Sequence, residues 1–189
     1  SALEMTALLQ WRKKLLQETG QKVSFDAIFI LVVSRVIKEF PHFRSRLEND
    51  RVITAEAGHV GIAIGVGEEL YTPVVKDATA KSIAEIETVV QQLSDKAKQG
   101  RFSQEDFAGA TLTVSNLGMF PVRSFDAIIP PGQVAVLAIG ATEETPVVRD
   151  GQIKILPIAQ VTLSVDHRMI NGREAAKFLA RLKEEMAKL

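Results

Sequence analysis

The stretch Ser164-Val165-Asp166-His167-Arg168-Met169-Ile170-Asn171-Gly172 marks a change of period, from the alternation of a strand to the 3.6-residue repeat of a helix. Before it, Ile158 to Val165 reads as a strand, and Val147 to Leu156 as a hairpin turning at Asp150-Gly151, a pair suited to a tight turn. After it, Gly172 to Lys188 is an amphipathic helix with lysine and arginine in its last turns, where they suit the helix dipole. Working outward, Gln133 to Ile139 is a short apolar strand, and Thr111 to Ser115 is a strand of alternating polarity. Ser82 caps a helix in which Ile83, Ile86, Val90, Leu93 and Ala97 recur at helical spacing, and Gly100 ends it. Residues 51–54 and 59–66 read as strands, the second punctuated by glycines. Ser24 opens a helix so apolar that it must be mostly buried, stopping at Phe40 before Pro41. Thr6 is the expected cap of a helix from Ala7 to Thr19, with Gly20 as its stop. Helices and strands mix without strict βαβ repetition, so the expected class is α+β, a layered domain with a mixed β-sheet.

The 189 residues suffice for one domain with its own core, and 46% hydrophobic with 24% charged residues is a globular profile. Lysine plus arginine and aspartate plus glutamate number 23 each, so no basic excess points to nucleic acid or an anionic membrane. Cysteine is absent, which excludes disulfides, thiolate metal sites and a cysteine nucleophile. No apolar run approaches a membrane span, and no signal-peptide pattern opens the chain. A soluble protein of the cytoplasm is expected, or of the mitochondrial matrix after loss of a transit peptide.

Chemistry has few places to reside. Of three histidines, His42 follows a proline at a helix end and is expected on the surface, and His59 sits beside Gly58 at a strand start. His167 stands where a strand ends, from which a side chain can project into a cleft while the sheet holds its backbone. Taken alone, the stretch fits equally a histidine that merely hydrogen-bonds near a strand end. A second polar cluster is Thr111-Leu-Thr-Val-Ser-Asn-Leu-Gly118, in which Thr111, Thr113 and Ser115 share one strand face. It reads either as an edge strand with a wet face or as the carrier of a hydroxyl donor, Ser115. No Gly-x-Ser-x-Gly elbow surrounds Ser115, which argues against a nucleophile. Gly61-Ile-Ala-Ile-Gly-Val-Gly67 lacks the phosphate-loop order, and three scattered histidines without cysteine make a metal site unexpected.

Together the two clusters resemble the catalytic domain of the dihydrolipoamide acyltransferases, the E2 components of 2-oxo-acid dehydrogenase complexes. That family's motif is Asp-His-Arg-x-x-Asp-Gly, and Asp166 to Gly172 matches it except at Asn171. Thr113 to Gly118 matches its Thr-x-Ser-Asn-x-Gly stretch, and Ser115 and His167 are the expected 52 residues apart. Pro73 to Ala78, Ile128 to Pro131, Leu137 to Gly140 and Pro146 to Gly151 match further. Gly118 to Pro131 is most similar to the acetyl-transferring, pyruvate dehydrogenase branch.

The resemblance implies a chloramphenicol-acetyltransferase-like two-layer sandwich. It implies one catalytic domain over residues 1–189, beginning about 30–40 residues late relative to the family, with the lipoyl and subunit-binding domains absent. The implied reaction moves an acyl group, acetyl by the closer branch, between a lipoyl-lysine thiol and coenzyme A. His167 would be the base that deprotonates the attacking thiol, and Ser115 would donate to the oxyanion of the tetrahedral intermediate. Asn116 and Gly140 are the implied coenzyme A contacts. The lipoyl group would arrive on a separate lipoyl domain. The implied assembly is a homotrimer with Ser115 and His167 from different chains, built into a 24- or 60-subunit core, with the E1 and E3 components bound through the absent domains. Asn171 keeps the shape of the family aspartate and loses its charge. A catalytically impaired structural core subunit is therefore the alternative expectation, and a stand-alone acyltransferase acting on a small alcohol is a third.

Overall fold

The computed structural model describes every residue except 49, 50, 56 and 57. A short strand, β1 (Ala2–Glu4), leads into helix α1 (Thr6–Thr19), followed by α2 (Phe25–Ile37). The strands β2 (Ser45–Glu48) and β3 (Arg51–Thr54) pair with each other, then come β4 (Val60–Ile62), β5 (Ile64–Val66), β6 (Glu69–Tyr71) and β7 (Val74–Val75). Helix α3 (Ile83–Gln99) precedes β8 (Leu112–Asn116), β9 (Ala135–Arg149), β10 (Gln152–Val165) and α4 (Gly172–Met186). Six strands form the main sheet in the order β1-β10-β9-β8-β4-β7. Here β4, β8 and β9 run parallel and the other neighbours antiparallel, the mixed sheet expected.

One face of this sheet carries the core. Leu112 and Val114, Ala135, Leu137 and Ile139, and Ala159 and Val161 pack with α2, whose residues from Ala27 to Val33 are all buried. The alternate residues Thr113, Ser115, Val136, Ala138, Thr162 and Ser164 point to the other face. The result is two layers, helices on sheet.

Three expectations about elements need correction. Thr6 does not cap α1: Met5 holds the N-cap position with no side-chain bond, and the Thr6 hydroxyl is buried without a hydrogen-bond partner. The cause is β1, which continues straight into the helix as the Met5 N–H donates to Pro157 O at 2.9 Å. Helix α2 ends at Ile37, not Phe40; Phe40, ahead of Pro41, is held at φ −124°, ψ 84°, outside the helical region. Residues 59–66 are two strands in different sheets, since β4 joins the main sheet while β5 pairs with β6. The caps at Ser24 and Ser82 hold as expected, the latter as a full capping box with Glu85.

Candidate active site

Strand β8 is not an edge. β4 flanks it on one side and β9 on the other, and its Thr face is dry. Thr111 is buried with its hydroxyl donating to Phe43 O at 2.7 Å, and Thr113 is buried and donates to Gln133 Oε1 at 2.6 Å. Ser115, one residue from the end of the strand, is half-buried on the same face. The sequence predicted that shared face and missed that neighbours cover it.

His167 lies in the turn between β10 and α4 and is exposed. Its two flanks are fixed. Upstream, the Asp166 N–H donates to Val134 O at 2.8 Å, and the Asp166 carbonyl accepts from the N–H groups of Met169 and Ile170. The Arg168 guanidinium bonds the Asp166 carboxylate at 2.6 Å and holds its pKa below the usual carboxylate range. Downstream, Ile170 is fully buried, and Asn171 is the N-cap of α4, its Oδ1 accepting from the Glu174 N–H at 2.9 Å. The cap needs a carbonyl oxygen and no charge, and asparagine supplies it as well as aspartate. Replacing Asn171 by alanine is expected to lower unfolding free energy by about 1 kcal/mol, whereas aspartate changes it by a few tenths at most. Urea titration of both variants checks this, and equal losses would remove the cap assignment.

Within one chain Ser115 and His167 do not meet. Leu112 and Val165 both pair with Ala135, from opposite sides of β9. From that level Ser115 lies three residues one way and His167 two the other, on strands two apart, which places them roughly 19 Å from each other at ordinary strand spacing.

Asn116 and Gly140 do lie together, on the wall of a 570 Å³ cavity between the sheet and the start of α2. A Cβ at Gly140 would stand 2.0 Å from Arg123 O, so the loop after β8 can close on the strand only over glycine. Arg12, Lys22 and Met119 also line the cavity, and so does Asp26. Burial pushes the Asp26 carboxyl up from its ordinary range, and a bond from Asn116 partly opposes the rise. Sequence reasoning missed this acid, although it is the only one in a mostly apolar helix. His42 is exposed as expected, with Nδ1 2.9 Å from a Glu174 carboxylate oxygen. His59 accepts from the Asp77 N–H at 2.9 Å, and burial pushes its pKa down, which suits a neutral structural acceptor.

A family model described as 2-oxoacid dehydrogenases acyltransferase (catalytic domain) matches residues 1–189. The chain belongs to this family. It is 33% identical over 172 residues to the dihydrolipoyllysine-residue acetyltransferase component of the pyruvate dehydrogenase complex of Rickettsia felis, covering 91% of this chain and 42% of that protein. It is 34% identical over 186 residues to the mitochondrial dihydrolipoyllysine-residue succinyltransferase component of the 2-oxoglutarate dehydrogenase complex of Saccharomyces cerevisiae, covering 96% and 40%. The chain thus spans about two fifths of the length of these curated relatives.

Among solved structures, the dihydrolipoamide acetyltransferase of Azotobacter vinelandii is 26% identical with a TM-score of 0.92, over 99% of this chain and 79% of that one. That structure accompanies work on the role of a serine, a histidine and an asparagine in its catalytic mechanism, separated by 52 and 4 positions like Ser115, His167 and Asn171 here. The cubic core of a pyruvate dehydrogenase multienzyme complex matches with a TM-score of 0.92 at 27% identity, over 99% and 79% of the two chains. Chloramphenicol acetyltransferase matches in fold, with a TM-score of 0.61 at 18% identity over 98% and 86%, as the two-layer expectation required. Among the described residues no helix is long and apolar enough to cross a membrane.

Proposed function

We propose that this chain is an active acyltransferase domain, moving an acyl group between a lipoyl-lysine thiol and the thiol of coenzyme A in the core of a 2-oxo-acid dehydrogenase complex. The observation that carries this reading is Ser115 on β8, His167 in the turn before α4 and Asn171 at the cap of that helix, spaced like the serine, histidine and asparagine of the Azotobacter vinelandii enzyme, in a chain that matches the family throughout. His167 takes the proton from the attacking thiol. The Ser115 hydroxyl donates to the thioester carbonyl oxygen as it gains charge. His167 then returns the proton to the departing thiol, so no covalent bond to the protein forms.

The separation of Ser115 from His167 requires the site to be completed by a second copy, in a homotrimer that builds a larger core. The sheet face bearing Ser115, Thr162 and Ser164 is the one opposite α2. The hairpin extends beyond it with Val148, Ile153 and Ile155 all more than 60% exposed on one side. Large exposed apolar groups at neighbouring positions suit an interface between copies. Coenzyme A fits the cavity at Asn116 and Gly140: two cations, Arg12 and Lys22, stand beside an apolar wall of Ile139 and Met119, a donor set suited to a phosphate-bearing thiol. The lipoyl group comes on its own domain, outside these residues, and the E1 and E3 components bind elsewhere. Acetyl is the favoured group, on the similarity of Gly118 to Pro131 to the pyruvate branch. The expected location is the cytoplasm or the mitochondrial matrix.

Subunit mixing tests the arrangement. Ser115→Ala should lower kcat for transfer between acetyl-CoA and dihydrolipoamide by about 10²–10³-fold, the usual cost of one oxyanion donor. Dissociated and reassembled in equal amounts with His167→Ala subunits, it should recover about one quarter of wild-type activity, because a quarter of shared sites in a symmetric ring are then intact. No recovery would place both residues in one chain's site. A wild-type assembly without transfer would end the enzyme reading.

A further inference from the structure

One carboxyl on the cavity wall has no part in the proton transfers above. Asp26 sits in the first turn of α2, and its Oδ1 accepts from Asn116 Nδ2 at 2.8 Å. The other end of the same amide, Asn116 Oδ1, accepts from the Gly118 N–H at 2.8 Å. The Asn116 side chain therefore bridges a helix of one layer to the turn that ends a strand of the other. That bridge lies where β8 is paired on one side only. The pairing of β4 with β8 ends at Ile62 and Val114, so Ser115 and Asn116 have a ladder partner on β9 alone.

We propose that Asp26 is a positioning residue for the oxyanion donor: by fixing the Asn116 amide it holds the backbone on the C-terminal side of Ser115. The inference rests on the acyltransferase reading of the site. An amide with both ends engaged cannot rotate freely. Without Asp26 its oxygen is released to leave Gly118, and the turn after Ser115 loosens while the strand before it stays in the sheet. The role requires an acceptor at position 26 and not a charge, since asparagine there offers a carbonyl oxygen in the same place.

The test compares Asp26→Ala and Asp26→Asn in the full-length assembled protein. With acetyl-CoA and dihydrolipoamide, Asp26→Ala should lower kcat about tenfold and leave KM for dihydrolipoamide within twofold, and Asp26→Asn should recover most of that loss. In a Ser115→Ala background Asp26→Ala should cost no further activity, because the two act as a unit. Hydrogen exchange supplies a readout free of catalysis. The peptide spanning 115–120 should exchange faster in Asp26→Ala and at the wild-type rate in Asp26→Asn, with the peptide spanning 135–139 unchanged. Unchanged exchange at 115–120 overturns the proposal, and so does an equal fall in kcat with and without Ser115. The predicted exchange contrast in a wild-type protein that transfers no acyl group would leave the contact standing and instead remove the reaction assigned to the site.

Discussion

His167→Ala is expected to lower kcat for acyl transfer by about 10³-fold while leaving the thermal midpoint within about 1 °C of wild type. The two halves of that expectation have different sources. The imidazole is exposed in the single chain, so its removal empties no packed space. The turn around it is held by main-chain bonds from Asp166 and by the Asn171 cap, none of which uses the His167 side chain. A positioned general base contributes about 10²–10⁴-fold, and a thiol needs one at neutral pH because its reference pKa is near 8.5. Raising the pH should therefore rescue part of the loss, as the thiol ionises without help. Steady-state rates between pH 6.5 and 9 check both the size and the slope. A variant within tenfold of wild type at pH 7 would mean that the proton leaves by another route.

What the sequence revealed of this site and what it hid have the same physical basis. Local signals were legible: Ser82 with Glu85 makes its capping box, and Asp150 and Gly151 both adopt positive φ, 53° and 73°, at the hairpin. Each depends on residues a few positions apart. Pairing across the sheet has no such local code. The stretches read as a short strand at 133–139, a hairpin at 147–156 and another strand at 158–165 are the two long partners β9 and β10, each running through a proline. Pro146 is tolerated because β8 accompanies β9 only to Ile139, after which one side of the ribbon is open and a proline nitrogen can face it. The dry face of β8 was hidden for a related reason: whether a threonine is wet depends on Gln133 and Phe43, which no periodicity places beside it. Asp26 illustrates the reverse. Its position in an apolar helix was visible, but its partner Asn116 is 90 residues away.

Phe178→Ala is the substitution expected to cost the most stability, about 3–5 kcal/mol. Phe178 is completely buried in α4 and stacks on the equally buried Phe43, with ring centroids 4.2 Å apart and planes 17° from parallel. Phe40 meets it edge-on at 5.4 Å. Truncation thus removes one ring of three and leaves a void that the stacked partner cannot fill without leaving its own rotamer. Leu182 and Met186, buried along the same helix, keep α4 attached, and Arg181 still reaches Glu39 beyond the end of α2 at 2.9 Å. The loss should therefore appear as a lower denaturation midpoint, measured at one protein concentration because self-association makes apparent stability depend on concentration. At temperatures where the variant stays folded, kcat should fall far less than in His167→Ala, since the His167 turn also hangs from Val134 and Ile170. Lys14→Ala, in an exposed pair with Glu18, is the control and should stay within about 0.5 kcal/mol. A cost below 1 kcal/mol at Phe178 would show that the ring cluster does not anchor α4.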